Sequence, residues 1–399
     1  MTSETALRCA PSIHVVVRSD DEVRIRLPHG PAMRGDGITL AVLEAFSSAK
    51  TLQLGISGLR HRFTSVEQWA VLTDRIARLR MNGFLVDPTA ANQLASDDAR
   101  FDSPPVHIRM LNDHARTLAY QQALRQTVSP DDIVLDIGTG TGVLAATAAQ
   151  CGAAHVYAVE RSSMAQVAEQ VFDANGLSDR VTVVKGHSRD IELPEQATVL
   201  VSEILGNDPL QEGILHITAD AIERLLKPGA QLLPCRVDLY ANLVSVPSEH
   251  LNKHVFREEV TSKWQDLYGL DFTPLVQASR NQPHSFNINT WDTRQWPCLS
   301  EPIHLMSIDL RNINNHAVEA VCRGTATETG SVTGILVYFS VNLTNSVRLS
   351  LDPEDVTPEN SWSSPVWLPA HPVDLQQGNE FELQWRFTAT GSEFDIRLC

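Results

Sequence analysis

The chain has 399 residues, a formal net charge of −16, 43% apolar residues and 20% charged residues. That length allows two or three domains with a sizeable core, and the ordinary apolar fraction excludes a disordered or fibrous protein. The negative balance argues against nucleic acid as a partner and suits a cationic substrate. No run of eighteen apolar residues occurs, so no membrane partner is expected. The first residues lack a basic segment followed by an apolar core, so no signal peptide is read and a cytoplasmic location is expected. Six scattered cysteines without a CxxC fit reduced thiols and provide no metal site.

Residues 1–95 read as a small α+β domain. His14 to Arg18 and Glu22 to Leu27 are short strands around an acidic turn. Thr39 to Ser47 is an apolar-rich helix. Thr64-Ser-Val-Glu67 has the pattern of a capping box, and apolar positions at helical spacing carry a helix from about Ser65 to Met81. Asn82-Gly83 stops it, and Phe84 to Val86 is a closing strand. The arrangement resembles a winged-helix domain, and also the small leader-binding domain of enzymes that modify ribosomal peptides. A packing or dimerisation appendage is the plainer alternative.

Ser96 to Pro105 is a polar linker, and His107 to Tyr120 reads as a helix. Pro104 and Pro105 argue against a long helical lid. Ile133 to Ile137 is an apolar run that suits a buried parallel strand, and it breaks into Gly138-Thr-Gly140-Thr-Gly142. Glycine lets the backbone turn sharply and lets a ligand approach without a Cβ in the way. Val143 to Gln150 is a small-residue helix, Val156 to Val159 a second strand, and Glu160 an acid at its end. Strand, glycine loop, helix, strand and acid form the nucleotide-binding half of a doubly wound sheet. With Asp136 two residues before the first glycine, the pattern resembles the S-adenosylmethionine site of class I methyltransferases. That resemblance implies that Gly138, Gly140 and Gly142 wrap the amino-acid end of the cofactor and that Glu160 grips the ribose hydroxyls.

Val181 to Lys185 is a further strand, followed by Gly186-His-Ser188. Val199 to Ser202 is another, running into a loop with Glu203 and Glu212 nine positions apart. Loops at the C-terminal ends of such strands are where open α/β sheets place their ligands. A guanidinium is planar, permanently charged and carries five donors in a fixed fork. Two carboxylates can hold it bidentately, aim one terminal nitrogen, and bias the charge toward the other. Leu225 to Gly229 reads as a turn after a late helix.

From Pro234 onward the pattern is all-β and suggests a barrel or sandwich. Strands are expected at Val237–Val246, Ile303–Leu310, Val318–Cys322, Gly334–Leu343, Ser346–Ser350, Glu380–Thr388 and Glu393–Leu398. Trp264 to Phe272 interrupts them.

The double-glutamate loop resembles that of the protein arginine methyltransferases, and other segments carry the same resemblance. His107-x-x-Met110-Leu-x-Asp113-x-x-Arg116-Thr-x-x-Tyr120 is similar to the family helix that lies over the cofactor. Met110 is then expected near the sulfonium, Arg116 on the cofactor carboxylate and Ser188 beside the adenine. Trp264-x-x-x-Tyr-Gly-x-Asp271 resembles the start of the family's helical dimerisation arm, which implies a homodimer. Leu205 and Ile214 replace two methionines usual in dimethylating members, so the loop most resembles the monomethylating branch.

The chain departs from the family at two places. A Thr-His-Trp loop, placed by counting sixteen positions back from Gly378, reads Asn360-Ser361-Trp362. The family histidine pairs with the acid at the Asp113 position; a serine there cannot carry a cation near pH 7, and His371 is a nearby substitute by sequence. The family's aromatic run on the first helix is also missing, with Phe101 in the place of its second tyrosine. The sequence therefore predicts three units: a peptide-recognition-like domain at 1–95, a Rossmann-like domain at 96–233, and a β-barrel domain at 234–399 with an arm near 257–300. The expected activity is S-adenosylmethionine-dependent monomethylation of a guanidinium nitrogen of free L-arginine or of arginine in a peptide or protein, in natural-product metabolism. Glu203 and Glu212 are the candidate catalytic pair, with Trp362 and Phe101 as further substrate contacts. The alternatives are a same-fold N-methyltransferase acting on another amine, and a cofactor-binding regulator.

Overall fold

A computed structural model describes residues 6–10, 13–19, 22–27, 32–63, 65–88, 104–279, 284–313, 318–388 and 391–399. Phe101 lies outside the described residues. Among the described residues no helix is long and apolar enough to cross a membrane, and no group of three or more histidine, cysteine, aspartate or glutamate side chains could hold a metal ion.

The middle of the chain is a five-stranded parallel sheet. Its order is Leu226–Leu233, Ala197–Ser202, Ile133–Ile137, His155–Glu160, Val181–Lys185. Ile133–Ile137 is buried at every position, as a central parallel strand flanked by helices on both faces must be. Strand order reverses between Ile133–Ile137 and Ala197–Ser202, so the glycine loop and the Glu203 loop leave the sheet side by side at the switch point. Leu226–Leu233 is a correction. Lys-Pro-Gly at 227–229 does not turn the chain away but lies within an edge strand, whose register to Ala197–Ser202 shifts between Ala197 and Val199. A shift of that kind absorbs the irregular residues without ending the pairing.

The expected single helix from His107 to Tyr120 is two helices, Pro104–Asn112 and His114–Thr127. Asp113 breaks it, because its carboxylate caps the second helix by accepting from the Arg116 N–H at 3.1 Å. Pro104 and Pro105 open the first helix, where a missing N–H is harmless.

The C-terminal region is built on antiparallel strands in the order His284–Asn289, Ser363–Leu368, Gly334–Asn342, Arg236–Val244, Ile303–Asp309, with Arg348–Ser350 on Gly334–Asn342. A second sheet runs Val318–Thr325, Glu380–Thr388, Gly391–Leu398. Four strands were not expected from sequence: His284–Asn289, Gly330–Val332, Ser363–Leu368 and Val373–Leu375. Helices Glu258–Tyr268 and Thr273–Ser279 form the inserted arm, and leave Phe256, Leu267, Tyr268 and Leu270 exposed. One continuous apolar core joins the parallel sheet to this region.

The N-terminal unit has its own core. It contains a meander His14–Ser19, Glu22–Arg26, Ala32–Gly35, and helices Gly37–Ala45, Leu52–Leu59 and Val66–Met81. The short strands Ala6–Cys9, Lys50–Thr51 and Leu85–Val86 tie its ends together. The capping box sits one residue later than expected. Ser65 accepts from the Gln68 N–H at 3.2 Å and Gln68 accepts from the Ser65 N–H at 3.3 Å. Two overlapping Ser/Thr-x-x-Glu/Gln patterns begin at Thr64 and Ser65, and the extended backbone at Ser65 selects the second.

Candidate active site

The glycine loop is shaped by its own neighbours. Gly138, Gly140 and Gly142 all have positive φ, at 78°, 52° and 88°. A Cβ on Gly138 would lie 2.8 Å from Ile204, and one on Gly142 would lie 2.7 Å from Phe172, so the loop has room for backbone only. Asp136 is fully buried and braces the loop from inside. Its Oδ2 accepts from Thr139 Oγ1 at 2.6 Å and from the Ala145 N–H at 3.0 Å. Its Oδ1 has no partner, and burial pushes the carboxyl up to about 7.

Glu160 ends the second strand, also buried. Its carboxylate accepts from the Gly140 N–H at 2.9 Å and the Ser162 N–H at 2.8 Å. Ser188 is buried on the turn after Val181–Lys185, where its carbonyl accepts from Arg224 at 3.0 Å.

Across the switch point stands Glu203. Its side chain is 9% exposed, and burial raises its carboxyl while the Arg116 guanidinium opposes that rise. Arg116 Nη1 donates to Glu203 Oε2 at 2.5 Å and Nη2 donates to the Met110 carbonyl at 2.8 Å. Arg116, expected on the cofactor carboxylate, is therefore engaged with the first glutamate of the loop and with Met110. A cleft lined by His107, Met110, Arg116, Tyr120, the glycine loop and Glu203 joins these groups. Glu212 is half-buried, with its side chain against the Gly206 backbone: a Cβ on Gly206 would lie 3.4 Å from Glu212 Oε1.

The loop between the two glutamates is latched to the barrel. Trp362 Nε1 donates to the Leu205 carbonyl at 2.8 Å, and the Ser363 N–H donates to Asn207 at 2.9 Å. Buried Asp208 accepts from Ser392 Oγ at 2.6 Å and from its N–H at 3.2 Å. The Trp362 ring also lies 5.4 Å from the Arg116 guanidinium. Sequence reasoning found Trp362, and quoted His107 in the helix motif without a role, but missed Asn207, Asp208 and Ser392; no local pattern marks a residue whose partner is 184 positions away. Ser361 stands where the loop histidine was expected to pair, with both its N–H and its hydroxyl on Asp113. His371 does not take that place, because it is exposed and the Asp113 oxygens already accept from Arg116 and Ser361.

A parallel sheet with a glycine loop, an acid at the end of its second strand and a pinned glutamate at the switch point defines a Rossmann-like methyltransferase fold joined to a β domain. The family model described as "Ribosomal protein L11 methyltransferase (PrmA)" matches residues 112–234, and that described as "Arginine methyltransferase oligomerization subdomain" matches residues 249–397. The chain is 31% identical to protein arginine N-methyltransferase 1 of Schizosaccharomyces pombe over 261 residues, covering 63% of this chain and 73% of that protein. It is 33% identical over 216 residues to "Probable protein arginine N-methyltransferase 6" of Arabidopsis thaliana, covering 53% of this chain and about half of that relative, 48%. In fold it resembles the "Trypanosoma brucei PRMT1 enzyme-prozyme heterotetrameric complex with AdoHcy", with a TM-score of 0.65 at 22% identity over 75% of this chain and 94% of that one. It also resembles Arabidopsis thaliana protein arginine methyltransferase 10, with a TM-score of 0.58 at 21% identity over 75% of this chain and 98% of that one. The chain belongs to the protein arginine N-methyltransferase family.

Proposed function

We propose that this enzyme adds one methyl group to a terminal guanidinium nitrogen of an arginine carried in a peptide or protein. The observation that carries the reading is Glu203, its side chain largely enclosed at the switch point beside the glycine loop and already holding a guanidinium, that of Arg116. The residues present fit S-adenosylmethionine as methyl donor. A Cβ on Gly140 would lie 3.3 Å from the His107 ring, so the bare backbone of the loop is what lets the Pro104–Asn112 helix close over it. Arg116 would take the donor's carboxylate, Glu160 its ribose hydroxyls, Met110 the sulfonium end and Ser188 the adenine. When bound, the donor supplies an electrophilic methyl on sulfur.

Glu203 and Glu212 hold the substrate guanidinium in a charge-assisted fork and aim one nitrogen. Trp362 fixes the loop through Leu205. The methylated guanidinium stays a cation, so its proton can pass to Glu212 or water after transfer, and a histidine is not required. Monomethylation rests on Leu205 and Ile214, which stand in place of two methionines. The exposed apolar residues of the arm support a homodimer, since such a face is otherwise left in water. The N-terminal unit, read as a peptide-recognition domain, supports a peptide substrate in specialised metabolism.

Mass spectrometry of products tests this. Purified protein is incubated with S-adenosylmethionine and either arginine-containing peptides or free L-arginine, with Glu203→Gln as control. A gain of one methyl on peptide, absent in the control, is expected. Transfer to free arginine alone would move the enzyme to small-molecule metabolism, and transfer to neither would overturn the reading.

A further inference from the structure

Nothing in the fold of a methyltransferase requires the N-terminal unit to touch the donor side of the parallel sheet, yet one buried cation does so. Arg26 ends the strand Glu22–Arg26 and is buried. Its guanidinium donates to Asp190 Oδ2 and, at 3.1 Å, to His187 Nδ1. Both acceptors lie on the turn that follows Val181–Lys185, and Ser188 stands between them. His187 Nδ1 also accepts from the Arg189 N–H at 3.2 Å, so this nitrogen serves as an acceptor for both donors.

The turn is held from two sides. From the sheet side, Arg224 donates to the carbonyls of Ser188 and Ile191, each at 3.0 Å. From the other side Arg26 anchors it, and His14 Nδ1 lies 3.9 Å from Asp190 Oδ2. The base of the turn is tied to the donor site itself: the Gly186 N–H donates to the Glu160 carbonyl at 2.9 Å, and the Glu160 carboxylate holds the Gly140 N–H. A contact made by the N-terminal unit thus bears on the turn beside the adenine position and, through Gly186, on the ribose acid.

The surroundings make this pairing specific. Burial first, and then the like charges of Arg189, Arg224 and Arg24, push the Arg26 guanidinium down to about 10. A buried guanidinium among like charges stays in place only when carboxylates hold it. Asp190 does so directly, and Asp220 helps at longer range.

We propose that Arg26 is a positioning residue for the methyl donor: by pinning His187 and Asp190 it holds the adenine-side turn in its binding shape, so that the N-terminal unit is a working part of the donor site. This rests on the reading of the cleft as an S-adenosylmethionine site. Arg26 itself touches neither donor nor substrate.

The test is calorimetric binding of S-adenosylhomocysteine to the full chain, with steady-state kinetics alongside. Arg26→Ala and Asp190→Ala, the latter on a half-exposed side chain that leaves the N-terminal core intact, are each expected to weaken binding at least fivefold. Both should raise KM for S-adenosylmethionine by the same factor, with kcat at saturation within twofold of the parent. The double variant should be no weaker than Arg26→Ala, because Arg26→Ala already removes the Asp190 bond along with the His187 one. Hydrogen exchange of residues 186–191 without ligand should quicken in both variants. Parent-like binding in Asp190→Ala, or a fall in kcat with KM unchanged, would overturn the proposal. A parent protein that does not bind S-adenosylhomocysteine would overturn the donor-site reading and the proposal with it.

Discussion

Ser361 donates both its backbone N–H and its hydroxyl to one carboxylate oxygen of Asp113, at 2.8 and 2.9 Å. The other oxygen of Asp113 caps the His114–Thr127 helix, which carries Arg116 and Tyr120. Barrel loop and donor-side helix therefore meet at a single buried carboxylate. Tyr120 extends the same joint by donating to the Ser202 carbonyl at 3.2 Å, one residue before Glu203.

Ser361→Ala removes one of those bonds and leaves the N–H in place. The expected loss is about 1 kcal/mol of stability, read as a fall of about 2–4 °C in Tm. A serine hydroxyl does not titrate near neutrality, so kcat should stay within about threefold of the parent. A drop in kcat beyond tenfold in a folded variant would instead assign Ser361 a part in proton movement.

Glu203→Gln keeps the shape of the loop and removes its buried charge. Turnover is expected to fall on the order of 10²–10³-fold, the size of a lost charge-stabilising group. Affinity for S-adenosylhomocysteine should not weaken, because Arg116 is then released from its pair and free to meet the ligand carboxylate. Single-turnover kinetics and calorimetry separate the two effects. Weakened ligand binding would contradict the assigned roles.

Asp208→Ala cuts the loop from Ser392. Two hydrogen bonds to a buried carboxylate are lost, and Ser392 Oγ keeps only the bond it accepts from Trp385 at 3.0 Å. The stability loss should be about 2 kcal/mol. Because Glu203 and Glu212 flank the freed segment, KM for the arginine substrate should rise about tenfold with a smaller change in kcat. Unchanged KM would show that the loop holds its shape without the latch.

Asp136 makes stability depend on pH in a definite direction. Its folded-state carboxyl is raised from 3.8 to about 7 by burial, against the Thr139 and Ala145 hydrogen bonds that favour the charged form. Between those values the folded protein keeps a proton that the unfolded chain has released, so stability falls as pH rises. The full span corresponds to at most about 4 kcal/mol. Asp136→Asn cannot titrate, so its stability relative to the parent should increase from pH 4 to pH 7 and level off above. Chemical denaturation at several pH values reads this; a flat difference across the range would mean that Asp136 titrates normally.

The glycine loop, Glu160 and the two-glutamate loop were legible in the sequence because each depends on local order: a buried strand, then residues that a ligand-facing turn needs. The capping box was legible in type and misplaced by one residue, since Thr64/Glu67 and Ser65/Gln68 carry the same spacing and only the backbone at Ser65 separates them. Ser363–Leu368 was not legible. It contains Pro365 and lacks a clean alternation, and it becomes a strand because His284–Asn289 and Gly334–Asn342 flank it. Lys-Pro-Gly at 227–229 carries a turn signal that pairing with Ala197–Ser202 overrides.

The sequence alone determined the parallel sheet, the donor loop and the presence of two carboxylates suited to a guanidinium, because strand hydrophobicity, glycine freedom and charge are properties of short segments. Only the tertiary structure decided that Arg116 sits on Glu203, that Ser361 serves Asp113, that Ser392 holds Asp208, and that Arg26 reaches the turn at His187 and Asp190. Each of those pairs joins residues between 87 and 248 positions apart. Buried polar groups must find partners wherever packing brings them together, and packing is decided by the whole chain.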